Sequence, residues 1–398
     1  MTHLLLSENF PPRTGGSGRW FWETYCRLPR DRFAVAAGED PRQEEFDRGH
    51  DLRLWRMPLT LKAWGLRSLT GLGGYWKALR QLRPLLHSEH IEMIHCGRCL
   101  PEGVMALALK WRYGLPYLCY VHGEDVTTAT YSREHAWMVR RVLSNAEFLI
   151  ANSQNTGRIL REEWSMPAER VCVLHPGVDT DYFRPASDDH AMRARLGWED
   201  RPVILTVGRL QKRKGHDVMI QALSTIRRAV PNVLYAVVGD GEERAALDSL
   251  TVSEGVGDNV RFLGEIGDED LLACYQQCDL FVLPNRQVGK DIEGFGMVLL
   301  EAQSCGKPVL AGASGGTAET MRIPETGEVV CCDGPDELAT RVSALLSDRC
   351  RLKRMGEAAR QWVVSQFDWK VLTQKAERLF RCGPSGAQTS AQMEPMCS

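Results

Sequence analysis

VILTVGRLQKRKGHDVMIQALSTIRRAVPNVLYAVV, residues 203–238, is the stretch whose reading decides the fold. It opens with an apolar run, Val203 to Val207, and closes with another, Leu234 to Val238. Both runs are too short for a helix and neither alternates, which is the pattern of a strand buried on both faces. Between them Val218, Ile220, Leu223 and Ile226 recur at helical spacing. A strand, a covering helix and a second strand predict neighbouring parallel strands.

The same unit repeats in both directions. Upstream lie the runs Leu4 to Leu6, Phe33 to Ala37, Met93 to His95, Tyr117 to Val121, Phe148 to Ala151 and Val171 to Leu174. Downstream lie Val260 to Leu263, Leu280 to Leu283, Pro308 to Ala311 and Glu328 to Val330, with Leu338, Val342, Leu345 and Leu346 again at helical spacing. The polar, proline-containing stretch Asp181 to Pro202 separates the two series. This predicts an α/β protein of two doubly wound, Rossmann-like domains, over 1–184 and 185–366. Such sheets bind ligands beyond the carboxyl ends of their strands, so two facing domains predict a site in a central cleft. Trp369, Leu372, Ala376 and Leu379 predict a further helix within 367–382, and 383–398, rich in Gly, Pro, Ser and Gln, reads as a disordered tail.

The chain of 398 residues has 49 Lys+Arg against 51 Asp+Glu, a formal net charge of -2 that excludes a dedicated nucleic-acid binder. Thirteen cysteines, an odd number at irregular spacing, argue against a disulfide framework and for a reducing, cytoplasmic setting. The start of the chain lacks a signal-peptide pattern, and no apolar stretch approaches the ~20 residues that span a bilayer. Near-neutrality hides one asymmetry. From Leu52 to Leu86 stand Arg53, Arg56, Lys62, Arg67, Lys77, Arg80 and Arg83 with no acid, interleaved with Trp55, Trp64, Tyr75 and Trp76. A basic surface bearing aromatics is what an anionic membrane attracts, so 52–86 is expected to dock the N-terminal domain on the inner face of the cytoplasmic membrane.

Chemistry concentrates in DIEGFGMVLLEAQSCGKPVLAGASGGTAE, residues 291–319. Glu293 falls in a loop, Gly294 to Gly296 precede a helix beginning near Met297, and Glu301 lies inside that helix. Amides at a helix start can hold phosphate, and carboxylates accept hydrogen bonds from sugar hydroxyls. Arg209 and Lys214 follow the strand Val203 to Val207 in a basic loop, whose Lys212 and Arg213 read equally well as a solvated charged turn. Gly15 and Gly16 follow the first strand, where a glycine turn lets amides approach a diphosphate. His122, in YVHGED, ends another strand beside Glu124 and Asp125. Three motifs are discounted. Asp179-Thr180-Asp181 lacks the surrounding oxygen ligands of a metal site. Cys96-Gly-Arg-Cys99 lacks a second pair, and in GDGEER (239–244) Arg244 stands where a dinucleotide fingerprint needs its third glycine.

The phrases HPGVD (175–179), VGRLQKRKG (207–215), VVGDGEER (237–244), VRFLG (260–264) and SGGTAET (314–320), with the two glutamates, resemble in order and spacing the retaining glycosyltransferases of the GT-B fold, group 1 or family 4 type. PNRQVGKDIEGFG (284–296) is similar to bacterial phosphatidylinositol mannosyltransferases that use GDP-mannose. The resemblance covers the C-terminal half almost continuously and the N-terminal half more loosely.

It implies transfer of a hexose, mannose from GDP-mannose, to a hydroxyl of a glycan or glycolipid, with no metal or other cofactor required. The implied donor site comprises Gly15, Gly16, Arg209, Lys214, Gly239, Leu263, Glu293, Gly294, Phe295, Gly296, Met297 and Glu301. Arg209 and Lys214 would hold the diphosphate, Glu293 the sugar hydroxyls and Glu301 the ribose. His122 would orient groups near the transferred sugar, with Glu124 and Asp125 toward the acceptor, and the last helix would pack toward the N-terminal domain. The implied catalytic group is His122, Arg209, Lys214 and Glu293. Fixed cations suit this chemistry because the leaving diphosphate gains negative charge as the glycosidic bond breaks. A UDP-sugar donor is the alternative, followed by a sugar-nucleotide epimerase of the same fold or a catalytically silent binding module.

Overall fold

A computed structural model of the chain describes residues 2–186 and 189–391. The chain forms two compact units: one runs to Pro176 and resumes at Trp369, and the other is Gly177–Asp368. The change at Pro176 comes eight residues before the boundary expected from the polar stretch, since HPGVD is divided between the units.

The first unit holds β1 (Thr2–Ser7), β2 (Phe33–Gly38), β3 (Leu54–Met57), β4 (Ile91–Cys96), β5 (Tyr117–Val121), β6 (Leu149–Ala151) and β7 (Val171–Val173). They form a parallel sheet in the order β3-β2-β1-β4-β5-β6-β7. All residues of β2 and β5 are buried, as their unbroken apolar runs require. β3 was not anticipated. It is a half-buried edge strand in the basic segment, and it takes Trp55 and Arg56 into the sheet. Arg53 pairs with Glu89 and Arg56 with Asp47, so these two arginines are neutralised within the fold. The exposed part of the basic segment is narrower than 52–86: it comprises Lys62 and Arg67 before the helix Leu69–Ser88, and Lys77, Arg80 and Arg83 on it.

The second unit holds β8 (Val203–Val207), β9 (Leu234–Val238), β10 (Val260–Gly264), β11 (Leu280–Leu283), β12 (Val309–Gly312) and β13 (Gly327–Val330), all parallel in the order β10-β9-β8-β11-β12-β13. The helix His216–Ala229 connects β8 to β9 as its periodicity predicts. Its Val218, Leu223 and Ile226 join Leu338, Val342 and Leu345 of the helix Pro335–Ser347 in one buried cluster. Each such side chain contributes about 1.5–3 kcal/mol when withdrawn from water. Gly215, left-handed at φ 73, starts this helix, and Pro231 follows shortly after its end. In each sheet the strand order reverses beside the first strand, between β1 and β4 and between β8 and β11. Loops leaving the carboxyl ends of those strands diverge there and leave room for ligands.

The last helix, Trp369–Ala391, belongs to the first unit and brings the Phe380 ring within 4.6 Å of His95, 5.9 Å of Phe33 and 6.1 Å of Tyr25. It breaks at Gly383 (φ 66), and 384–391, assigned above to a disordered tail, continue as helix. The remainder of that tail, 392–398, lies outside the described residues.

Candidate functional site

In the second unit the loops after β8 and β11 build one ionic cluster. The turn Lys212–Lys214 ends in left-handed Gly215, where a Cβ would come within 1.8 Å of the Pro284 carbonyl oxygen. Only glycine lets the two loops approach so closely. Lys214 Nζ then lies 2.6 Å from Glu293 Oε2, and Arg213 Nη1 lies 2.5 Å from the same oxygen. Arg213 Nε also reaches Asp291 Oδ1 at 3.3 Å. Burial alone would push the Glu293 carboxyl up, but Lys214 and Arg213 outweigh it and hold the group below its ordinary value. Asp291 goes the other way, raised by burial despite Arg213. Glu293 is fixed from behind as well: Gly315, at φ 67, sits so close that a Cβ would fall 1.6 Å from the Glu293 carbonyl oxygen, which also accepts from Gly316 N at 3.1 Å.

Arg209 leaves β8 with an exposed side chain, while its carbonyl meets buried His216 Nε2 at 3.3 Å. Tyr235 OH stands 3.0 Å from His216 Nδ1. With Nε2–H donating to the carbonyl, Nδ1 accepts from the tyrosine, so the ring is neutral, and burial pushes its pKa down to about 4. Gly239 follows β9, and its N–H bonds the Gly264 carbonyl at 2.8 Å beyond half-buried Leu263 of β10. Gly294, buried Phe295 and Gly296 lead into the helix Met297–Ser304, which opens on a left-handed Gly296. Glu301, 5% exposed, accepts a hydrogen bond of 2.6 Å from buried Tyr275 OH.

The first unit carries the other expected residues. Gly15 (φ 153) and Gly16 start the helix Gly16–Tyr25, whose Trp20 and Phe21 rings lie 5.7 and 5.9 Å from the His122 ring. His122 Nε2 meets the Gly97 carbonyl at 2.7 Å, which makes it the donor and leaves Nδ1 as an acceptor. The His122 N–H bonds Asp125 Oδ1 at 3.0 Å, and its carbonyl accepts from Asn152 Nδ2 at 3.0 Å. Asp125 is thus occupied in holding His122, while Glu124 is exposed at the start of the next helix.

Several residues shaping these sites escaped the sequence reading. Arg213, its side chain 12% exposed, is a clamp on Glu293 rather than a solvated turn; Lys212 is exposed. Tyr275, Asp291, His216 and the bidentate Arg286–Asp217 pair (2.8 and 2.7 Å) carried no recognised signal. Near the glycine turn, Arg98 bridges Glu8 and fully buried Glu102, an i,i+4 pair in GRCLPEG that spacing could have flagged. Asp179 Oδ1 accepts from the N–H groups of Asp181 and Tyr182 at 3.0 Å each, a local turn. Cys99 and Cys119 pack with their sulfurs 3.9 Å apart, and burial pushes the Cys119 thiol up. Among the described residues no cluster of three or more His, Cys, Asp or Glu could hold a metal ion.

Residues 14–182 match the model of Glycosyltransferase Family 4, and residues 188–362 that of Glycosyl transferases group 1. A Mycobacterium tuberculosis protein, GDP-mannose-dependent alpha-(1-6)-phosphatidylinositol monomannoside mannosyltransferase, is 33% identical over 95% of this chain and 97% of its own. The chain belongs to the group 1 glycosyltransferases. A Corynebacterium glutamicum relative of this family, GDP-mannose-dependent monoacylated alpha-(1-6)-phosphatidylinositol monomannoside mannosyltransferase, is 30% identical over 96% of this chain and 98% of its own. Among solved structures, Anabaena HepE in complex with UDP superposes with a TM-score of 0.80 at 22% identity, covering 96% of this chain and all of that one. Sucrose-phosphate synthase from Thermosynechococcus elongatus gives 0.80 at 23% identity, over 98% of this chain and all of the other. The group 1 glycosyltransferase described here thus has the GT-B fold, and both of its sheets are accounted for by the family.

Proposed function

We propose that this glycosyltransferase moves mannose from GDP-mannose, with retention, to a hydroxyl of a phosphoinositide-type glycolipid. The observation that carries the reading is the pair of cations Lys214 and Arg213 on one buried carboxylate, Glu293, at the switch point of the second sheet. Transfer requires both parts in one place: positive charge for a departing diphosphate, and an ionised acceptor for sugar hydroxyls. Near full-length similarity to two GDP-mannose-dependent transferases supports the choice of donor and the lipid class of acceptor.

In this reading Arg209 and Lys214 take the diphosphate, assisted by amides at Gly15, Gly16 and Phe295 to Met297. Glu301 takes the ribose, Glu293 the mannose hydroxyls, and Gly239 and Leu263 lie toward the nucleotide. His122 is assigned an orienting role and not that of a general base, its ring held by Nε2–H donating to the Gly97 carbonyl. The departing phosphate oxygen takes the acceptor proton as the new bond forms on the same face. Glu124 and Asp125 stand toward the acceptor, Asp125 through its hold on His122. Cationic side chains and amides suffice to neutralise the diphosphate, so a metal has no assigned role.

The lipid acceptor implies peripheral contact with a membrane, and no described helix is long and apolar enough to cross one. Leu69 (88% exposed), Leu72 and Trp76 (64%) share a face of the helix Leu69–Ser88 with exposed Arg80 and Arg83, and the Arg80 guanidinium covers the Trp76 ring. That face is the proposed contact with anionic lipid. The donor assignment is tested by nucleotide release from GDP-mannose, UDP-glucose and UDP-N-acetylglucosamine with a phosphatidylinositol mannoside. Acceptor-dependent release of GDP is the expected result; faster release of UDP would overturn it.

A further inference from the structure

We propose that Arg213 is a positioning residue for sugar transfer, keeping Glu293 ionised and aimed once Lys214 is drawn to the donor diphosphate. The inference rests on the glycosyl-transfer reading and adds to it a residue with no assigned contact to substrate.

Four charged groups face one another here, Lys214, Arg213, Glu293 and Asp291. With two cations and two carboxylates the cluster is neutral. The side chains of Arg213, Lys214 and Glu293 are 12%, 11% and 10% exposed, so solvent screens them little. A flexible ammonium and a planar guanidinium share Glu293 Oε2, and the two are not equivalent. Lys214 holds Glu293 by a single ammonium contact at the end of a flexible stem, and its terminal atoms fold over Gly208, beside Arg209, where a Cβ on Gly208 would come within 3.9 Å of Nζ. It can follow a phosphate without leaving the loop.

Arg213 is fixed at both ends. Its guanidinium uses one nitrogen for Glu293 and another for Asp291. Its carbonyl accepts the Arg286 N–H at 2.8 Å, and the Arg286 guanidinium grips both oxygens of Asp217. The loop after β8 and the helix it leads into are therefore tied to the loop after β11 by four ion pairs and a backbone bond, and Arg213 makes two of those pairs and the backbone bond. Were Lys214 the sole partner of Glu293, its departure would leave that buried carboxylate beside the 40% exposed Asp291 with no cation between them. One would take up a proton, and a protonated Glu293 accepts poorly from a sugar hydroxyl. With Arg213 in place Glu293 remains an anion throughout transfer.

The test compares the full-length enzyme with Arg213→Met and Arg213→Lys. GDP affinity is measured by calorimetry, and kcat and KM for GDP-mannose from pH 5 to 9. GDP lacks the transferred hexose, so its affinity should change by less than about threefold in Arg213→Met, because only contacts to that hexose act through Glu293. kcat should fall roughly ten- to a hundredfold, and its acidic limb should move up by about one pH unit or more, the usual consequence of removing a cation beside a carboxylate. Arg213→Lys should recover most of kcat and return the limb toward the wild-type position. A loss of GDP affinity equal to the loss of kcat would make Arg213 a diphosphate contact and overturn the proposal. So would an acidic limb that stays in place in Arg213→Met, whatever its thermal stability. If the wild type releases nucleotide from no sugar donor, the transfer reading falls and this inference with it; if it turns over normally and only the variants disagree, the inference alone falls.

Discussion

Glu293→Gln separates the electrostatic role of this residue from its role toward the sugar. The substitution keeps size and an accepting oxygen but leaves Lys214 and Arg213, both almost fully buried, without the anion they share at 2.6 and 2.5 Å. Removing one partner of a buried pair costs about 3–5 kcal/mol. Arg213 retains Asp291 at 3.3 Å, and the amide oxygen still accepts a hydrogen bond, so the lower end applies, about 3 kcal/mol. For a domain the size of Gly177–Asp368 that amounts to a fall in Tm of roughly 6–12 °C. Scanning calorimetry at pH 7 measures it directly. Saturating GDP supplies a diphosphate for the stranded Lys214, so it should raise Tm more in Glu293→Gln than in wild type, although transfer is lost. A Tm within about 2 °C of wild type, or equal stabilisation of both proteins by GDP, would refute the view that Glu293 is the counter-ion of a buried cationic pair.

Tyr275→Phe removes the hydroxyl on Glu301; a hydrogen bond to a charged group contributes about 1.5–3 kcal/mol, so calorimetric GDP affinity should fall at least about tenfold. Liposome flotation should depend on anionic lipid and fall at high salt, and the double variant Arg80→Glu/Arg83→Glu should abolish it; flotation indifferent to lipid charge removes the helix Leu69–Ser88 as the contact. Burial pushes His3 and His216 each down to about 4 from an ordinary 6.5. The unfolded chain therefore binds more protons between those values, so the stability these two histidines contribute is full above pH 6.5, declines as pH falls toward 4, and levels off below. Urea midpoints across that window should decline, and His216→Gln should make the slope shallower.

What was legible in the sequence follows from distance along the chain. The apolar runs of β8 and β9, like the helix between them, are signals contained in a few neighbouring residues, and they were enough for the doubly wound architecture. β3 escaped because an edge strand is only half buried: Leu-Trp-Arg-Met shows neither an unbroken apolar run nor clean alternation, and its Arg56 pairs with Asp47 from another segment. The exposed face expected across 52–86 shrank for the same reason, since Arg53, Arg56 and Tyr75 all find partners inside the fold. At the candidate site, Glu293, Lys214 and Glu301 announce themselves through adjacent glycines and helix starts. The residues that hold them do not, because Arg213 meets Glu293 across 80 positions, Arg286 meets Asp217 across 69, and Tyr275 meets Glu301 across 26. No local pattern encodes such a pair. A charge is read as solvated until the fold brings its counter-charge, and in Lys212-Arg213 the two neighbours took opposite fates. Lys212 points to solvent, while Arg213 turns onto Glu293 because Gly215 brings the loop against Pro284. The glycine motif was visible in the sequence, but its consequence for the arginine two positions earlier required the second loop.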